Sequence, residues 1–137
     1  LEHAKNLGIA MQLTNICRDV SEDAENDRIY LPASLFEGGI TTTDLVSDSA
    51  DIRDRTIAAK ESLLQLADDL YASSEAGIKH LPFRMRIVVR WAARMYREIG
   101  TVIRSNPNHF YKDRAVVKRP KKMYFLIQCL ARSLFSK

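Results

Sequence analysis

No apolar stretch in this 137-residue sequence approaches the roughly 20 residues that a membrane-spanning helix needs. Glycine and proline are scarce, with 5 and 4 residues, so long helices meet few interruptions. A glycine-rich phosphate loop is missing, and the 3 histidines are scattered without metal-ligand spacing. These absences give no support to a membrane span, a nucleotide-binding fold or a histidine-based metal site.

Cysteine is also scarce, because the chain contains only Cys17 and Cys129. They form neither a close pair nor a Cys/His cluster, so we interpret both as buried thiols. This usage is compatible with a reducing cytosol and favours a cytoplasmic protein. The chain begins at Leu1 without an initiator methionine or a signal-peptide pattern. We therefore expect a fragment that starts within a helix.

The apolar residues recur at helical spacing, and no segment alternates as a strand does, so we predict an all-α fold without an internal domain boundary. Gly77 is expected to end the longest helix, and Thr41 to cap a short one. The predicted helices cover residues 1–24, 33–37, 50–76, 82–104 and 120–135.

Charge is divided unevenly along the chain. Residues 1–78 contain 6 basic and 15 acidic residues, whereas residues 79–137 contain 15 basic and 2 acidic residues. Three interpretations stay open. The two parts complement each other in the fold, or the basic part binds nucleic acid or an anionic membrane. Alternatively, the acidic part holds a metal while the basic part holds a polyanion such as diphosphate.

Polar residues form a stripe on the first predicted helix, because steps of three and four residues bracket the 3.6-residue turn. Acidic pairs at this spacing usually mark a solvated helix face, and the chain has several of them. Amides in the same row, with an arginine beside it, favour a site for a hard cation and its anionic ligand. The stripe consists of Gly8, Gln12, Asn15, Asp19, Glu22 and Asp23, with Arg18 beside it.

This stretch resembles the second aspartate-rich motif of the squalene/phytoene synthase family, the head-to-head prenyl diphosphate synthases. The family pattern is roughly Gln-x-x-Asn-Ile-x-Arg-Asp-x-x-Glu-Asp, followed by an acidic loop and Arg-x-Tyr-x-Pro. Residues 92–96 and 113–117 also resemble family segments. The resemblance extends over residues 1–137 but only over the C-terminal half of a typical member. It implies part of an isoprenoid-synthase-type helical bundle. The matching residues are Gln12, Asn15, Ile16, Arg18, Asp19, Glu22, Asp23, Arg28, Tyr30 and Pro32.

The resemblance also implies roles for these residues. Asn15, Asp19 and Asp23 would bind Mg²⁺, with Mn²⁺ as an alternative, and the two aspartates would thereby serve catalysis. Gln12 and Arg18 would contact the prenyl diphosphate substrate.

Two further residues match family positions. Tyr96 is either a core tyrosine or a catalytic residue with its polar tip in an apolar tunnel. Arg114 would contact diphosphate, next to a basic segment at 118–122 whose alternative roles are a solvated surface or a peripheral membrane contact. The arginines at 86–104 are interpreted as surface residues rather than catalytic ones.

The function implied by the resemblance is condensation of two geranylgeranyl diphosphates, through a cyclopropyl diphosphate, to phytoene in carotenoid biosynthesis. Dehydrosqualene and squalene synthases, which use farnesyl diphosphate, are the alternatives, and only the squalene product requires a nicotinamide. A non-catalytic assembly factor is disfavoured by the intact motif. A nucleic-acid-binding module is disfavoured because it leaves the acidic motif unexplained, so no nucleic-acid partner is expected.

Family members use two facing aspartate-rich motifs, and this chain contains only the second. We therefore expect the isolated chain to be inactive. The sequence leaves the length of the substrate and the oligomeric state open.

Overall fold

The computed structural model describes residues 1–47, 49–107 and 115–135, and these residues contain helices and no strand. The all-α prediction is therefore confirmed. The α-helices are α1 (Glu2–Arg18), α2 (Val20–Glu25), α3 (Thr42–Val46), α4 (Ala50–Ile78), α5 (Phe83–Ser105) and α6 (Arg119–Phe135), with a short 3₁₀ turn at Ala33–Leu35. No helix in the described part of the chain is long and apolar enough to cross a membrane.

Helix α1 packs along α4 in the antiparallel direction. Near the start of α1, His3 hydrogen-bonds through Nδ1 to the carbonyl of Ser73, at 2.9 Å. Near its end, the Cys17 thiol lies 3.6 Å from the carbonyl of Lys60. The helices approach closely at Gly77, where an added Cβ would lie 2.4 Å from the Cβ of His3. Glycine at this position therefore permits the contact.

The main core lies where α5 covers the α1–α4 pair. Leu63 and Leu64 of α4 are buried with Ile99 and Ile103 of α5. Gly100 allows α5 to come near α4, since a Cβ there would lie 3.3 Å from a Leu64 methyl carbon. Burial of such apolar side chains contributes roughly 1.5–3 kcal/mol each. This packing fixes the orientation of α1 and hence of its polar stripe.

The segment between α2 and α3 is held down by buried side chains and one arginine. Leu31 and Phe36 are buried in the main core. Arg55 lies over the Phe36 ring and donates hydrogen bonds to the carbonyls of Glu37 and Gly39. The predicted cap at Thr41 is confirmed.

Some predicted helix limits were wrong. The helix predicted over residues 1–24 is interrupted at Asp19, and the segment predicted at 33–37 is only a 3₁₀ turn. Gly77 does not end α4, which continues to Ile78. Close packing against His3, rather than helix termination, explains why position 77 is a glycine.

Lys60 is an unusual core residue, because this lysine on α4 is only 3% exposed. Burial lowers the pKa of Lys60 to about 8, since the charged ammonium loses its hydration. Burial also raises the pKa of the neighbouring Cys17 to about 12. Compared with the unfolded chain, the folded chain therefore shifts the equilibrium of each group towards its neutral form.

We expect the free energy of unfolding to rise by about 1 kcal/mol between pH 7.5 and 9. The unfolded chain keeps the Lys60 proton up to a pKa near 10.5, whereas the folded chain releases it above about 8. Lys60→Met should raise stability at pH 7.5 by up to about 3 kcal/mol and remove this rise. Urea denaturation at the two pH values measures both effects. The same pH slope in both proteins would contradict the prediction.

Candidate functional site

The polar stripe of α1 continues into α2 on successive helical turns. The backbone N–H of Asp19 donates to the carbonyl of Asn15 at 2.9 Å, and that of Asp23 donates to the carbonyl of Asp19 at 2.8 Å. Asp19 itself has φ −102° and ψ 15°, which separates the two helices without breaking this series of bonds. The structure therefore places the three predicted metal ligands one above another on a single face.

Arg18 and Asp19 form a two-bond ion pair between adjacent residues. The Nε and one terminal nitrogen of Arg18 donate to the two carboxylate oxygens of Asp19, each at 2.7 Å. Both side chains are mostly buried, with relative exposures of 16% and 17%. The hydrogen bond to Asp19 raises the pKa of Arg18, so the guanidinium stays charged. The pair fixes the orientation of a predicted ligand before any metal binds.

Asn15 carries a buried acceptor that the described residues leave unsatisfied. Its Oδ1 atom has no hydrogen-bond partner. Such an atom loses its hydration without compensation, at a cost of roughly 1–3 kcal/mol. The Asn15 oxygen is neutral and buried, and the Gln12 amide and the Asp19 carboxylate lie on the neighbouring turns. Such an oxygen is a suitable ligand for a hard cation.

The other residues of the stripe differ in accessibility. Gln12 is exposed, and an added Cβ at Gly8 would meet no atom within 4 Å. This part of the stripe is therefore open to an incoming ligand. Asp23 is half-buried and lies beside Arg28 and Tyr30, around a small cavity of about 10 Å³.

Tyr96 lies close to the stripe, at the contact between α5 and α1. It is half-buried and packs against both core clusters, to which α1 contributes Cys17 and Ala10. The pKa of Arg18 is raised chiefly by Asp19, and Tyr96 adds a smaller electrostatic contribution. The structure thus brings Tyr96 near Arg18, as both the core and the catalytic interpretations require.

Sequence reasoning missed a buried hydroxyl pair next to this region. The hydroxyls of Thr14 and Tyr71 lie 3.0 Å apart, and the Thr14 hydroxyl also donates to the carbonyl of Ala10 at 2.9 Å. Burial raises the pKa of Tyr71 to about 12. The two residues are 57 positions apart in sequence, so local periodicity could not pair them.

Arg114, the predicted diphosphate contact, lies outside the described residues, which exclude 108–114. The surface interpretation of the arginines on α5 was wrong for Arg90, which is 7% exposed. Arg90 donates through Nε to Glu75 of α4 at 2.9 Å and lies in a cleft of about 420 Å³ between α4, α5 and α6. The i, i+4 spacing of these arginines predicted a shared face but not the helix that covers it.

The donor types fit one side of a magnesium site. Asn15, Asp19 and Asp23 offer an amide and two carboxylates, and the Asn15 oxygen is unsatisfied. Within residues 1–47, 49–107 and 115–135, no group of three His, Cys, Asp or Glu side chains could hold a metal ion. By donor type the stripe fits part of an oxygen-ligand site, and the described residues form no closed one.

Comparison with known proteins assigns the chain to a family. A sequence model of squalene/phytoene synthases matches residues 1–121. The chain is 34% identical over 140 residues to 15-cis-phytoene synthase of Enterobacter agglomerans, covering all of this chain and 46% of that protein. It is 39% identical over 127 residues to phytoene synthase of Cereibacter sphaeroides, covering 92% of this chain and 36% of that protein. The chain therefore belongs to the squalene/phytoene synthase family, and it spans less than half the length of these relatives.

We expect Asn15→Ala to raise the free energy of unfolding by about 0.5–1 kcal/mol, because it removes an unsatisfied acceptor and introduces a better helix former. The neighbouring Thr14→Ala provides a matched control. It should lower stability by about 1–2 kcal/mol, since it leaves the buried Tyr71 hydroxyl without its partner. Urea denaturation of both variants measures the difference. Equal destabilisation by the two would show that the Asn15 oxygen is satisfied in the folded chain.

Proposed function

We propose that this chain supplies one of the two metal-binding parts of a prenyltransferase that condenses two geranylgeranyl diphosphates to phytoene. The observation that carries the proposal is the alignment of Asn15, Asp19 and Asp23 on one helical face, with Arg18 bonded to Asp19. The relatives whose names include phytoene synthase favour the C20 substrate and the carotenoid product over dehydrosqualene or squalene.

The reaction that we propose develops negative charge on a leaving diphosphate. When bound, Mg²⁺ or Mn²⁺ would supply the compensating positive charge. Asn15, Asp19 and Asp23 would hold the metal, and Arg18 would hold Asp19 in place while presenting its remaining N–H groups to anionic oxygens. Gln12, exposed one turn before Asn15, would contact the substrate. Gly8 would leave room for it.

Tyr96 is proposed to act beside this diphosphate site. Its position at the α1–α5 contact, near Arg18, supports a role for this residue beside the reacting groups. The buried, unsatisfied Asn15 oxygen lowers the stability of the fold, and it becomes useful only when a ligand binds to it. A non-catalytic assembly factor would not need such an atom.

A chimera tests the activity. In it, this chain replaces the aligned stretch of the Enterobacter agglomerans relative, which supplies the remaining length. We expect Mg²⁺-dependent formation of phytoene from geranylgeranyl diphosphate by the chimera and no turnover by the isolated chain. Asp19→Asn should lower kcat by at least about 100-fold, because the metal loses a charged ligand.

Asp54→Asn is the matched control, since this exposed aspartate belongs to α4 and not to the stripe of α1 and α2. It should leave kcat within about twofold. Turnover by the isolated chain would refute the need for a second part. A folded chimera that is active with Asp19→Asn, or that forms only C30 products, would refute the proposed role or substrate.

We also propose that α6 makes peripheral contact with an anionic membrane, where an apolar product could leave. Met123, Ile127 and Leu130 are 60%, 60% and 41% exposed on this helix. Lys118 and Arg119 are exposed at its start, and described residues 115–132 contain no acidic side chain. An apolar face next to basic residues is typical of helices that lie in the membrane interface.

Flotation with phosphatidylglycerol vesicles tests this contact. We expect the chain to float with the vesicles, and Ile127→Glu to lower the bound fraction at least about threefold, because a carboxylate enters the apolar face. The control Val46→Glu places the same charge at an exposed apolar position of α3. Equal losses in both variants, or no flotation of the unmodified chain, would refute the proposal.

A further inference from the structure

A second charged site lies in the cleft between α4, α5 and α6. The cleft measures about 420 Å³, within the usual range of small-molecule sites. None of the predicted site residues that the structure describes lines it. Arg94, which does, is two positions before Tyr96 on α5, and residues at that spacing point about 160° apart around a helix. Arg94 and Tyr96 therefore lie on different sides of α5.

Positive charge exceeds negative charge in this cleft. Five basic side chains line it, against the two carboxylates Glu75 and Glu98. Arg90 and Arg132 share Glu75, at 2.9 and 3.5 Å, while Lys121 is paired with Glu98. The buried groups are one cation and one carboxylate, because Arg90 and Glu98 are 7% and 9% exposed. The excess of positive charge therefore lies on the exposed cations of the cleft, where an anion could bind from solvent.

Arg94 is the cation in the cleft that has no carboxylate partner in the described ranges 1–47, 49–107 and 115–135. Its guanidinium lies instead over the Phe125 ring, 5.1 Å from the ring centroid. Contact with the ring leaves the edge of the guanidinium free to donate hydrogen bonds. Arg94 thus has donor capacity in a cleft whose other cations are already paired.

Gln128 of α6 supplies a second, independent observation. Its Oε1 atom is buried and has no hydrogen-bond partner among the described residues. Gln128 lines the same cleft. Gln128 and Arg94 line the same cleft, so a ligand that both donates and accepts hydrogen bonds, as a partly protonated phosphate does, would complement the two groups.

We propose that this cleft binds a small polyanion of the phosphate class, with Arg94 as the main anchor. Guanidinium groups bind phosphate oxygens through two parallel hydrogen bonds, which suits the free edge of Arg94. The volume admits a diphosphate with a small organic group. Binding here requires no metal and no residue of the α1 stripe, so it is independent of the proposed prenyltransferase activity.

The chain contains a built-in reporter for this site. Trp91 is its only tryptophan, and its indole N–H donates to the carbonyl of Lys122 on α6 at 3.1 Å. The next residue towards the N-terminus, Lys121, lines the cleft. We expect inorganic diphosphate, added to the 137-residue chain with a metal chelator, to change Trp91 fluorescence saturably. Calorimetry should give one bound anion per chain.

Arg94→Gln should weaken this binding at least about tenfold, since a charged hydrogen-bond donor is lost. Arg84→Gln removes an exposed arginine from the start of the same helix, outside the cleft, and should change the affinity less than about twofold. Arg18→Gln, in the α1 stripe, should also leave it within about twofold. Circular dichroism verifies that each variant folds.

If Arg94→Gln fails to fold, Thr101→Glu replaces it, because this exposed residue lines the cleft and the new carboxylate would repel the anion. Its expected loss of affinity is again about tenfold. Three results would overturn the proposal. The first is the absence of saturable binding, and the second is the same fluorescence change with KCl at matched ionic strength. The third is a loss of affinity in Arg18→Gln or Arg84→Gln that is as large as the loss in the cleft variant.

Discussion

The contact between α1 and α4 is the constraint on which the rest of the structure depends. Gly77 lets the first turn of α1 approach α4, and Cys17 packs against the α4 backbone at the other end. Because both ends are fixed, α1 cannot rotate without exposing Cys17 and opening the Thr14–Tyr71 pair. Its polar stripe therefore faces away from α4. The positions of Asn15, Asp19 and Asp23 follow from this packing.

The region around the α1–α4 contact contains three features that lower its stability. Lys60 buries a titratable amine beside Cys17, Asn15 buries an unsatisfied oxygen, and the helix is interrupted at Asp19. Buried lysines and unsatisfied buried acceptors are both uncommon in protein cores. Leu63, Leu64 and Ile99 are buried in the main core nearby. A ligand that satisfied the Asn15 oxygen would recover part of the lost stability, as expected of a binding site.

The helices could be predicted from the sequence because apolar spacing and capping residues are local signals. Thr41 capped α3 as expected, and α5 and α6 began within a residue of the prolines that mark them. The candidate metal face could be predicted for the same reason, since it lies within one continuous segment. Contacts between residues far apart in the sequence could not be predicted in this way. The burial of Arg90 depends on Glu75 and on α6, and the pairing of Thr14 with Tyr71 depends on how two distant helices dock.

The uneven charge of the chain has a direct structural cause. Acidic residues of α4 face basic residues of α5, and Arg104 bonds both Glu61 and Asp68 at 2.8–2.9 Å. Arg97 adds a bond to Asp68, so the halves of the chain partly neutralise each other, as one of the sequence interpretations held. Such exposed pairs contribute little energy individually, but they fix which faces of the helices meet. Within the cleft between α4, α5 and α6, Arg94 is then the cation that keeps no carboxylate partner among the described residues, and its guanidinium lies over the Phe125 ring.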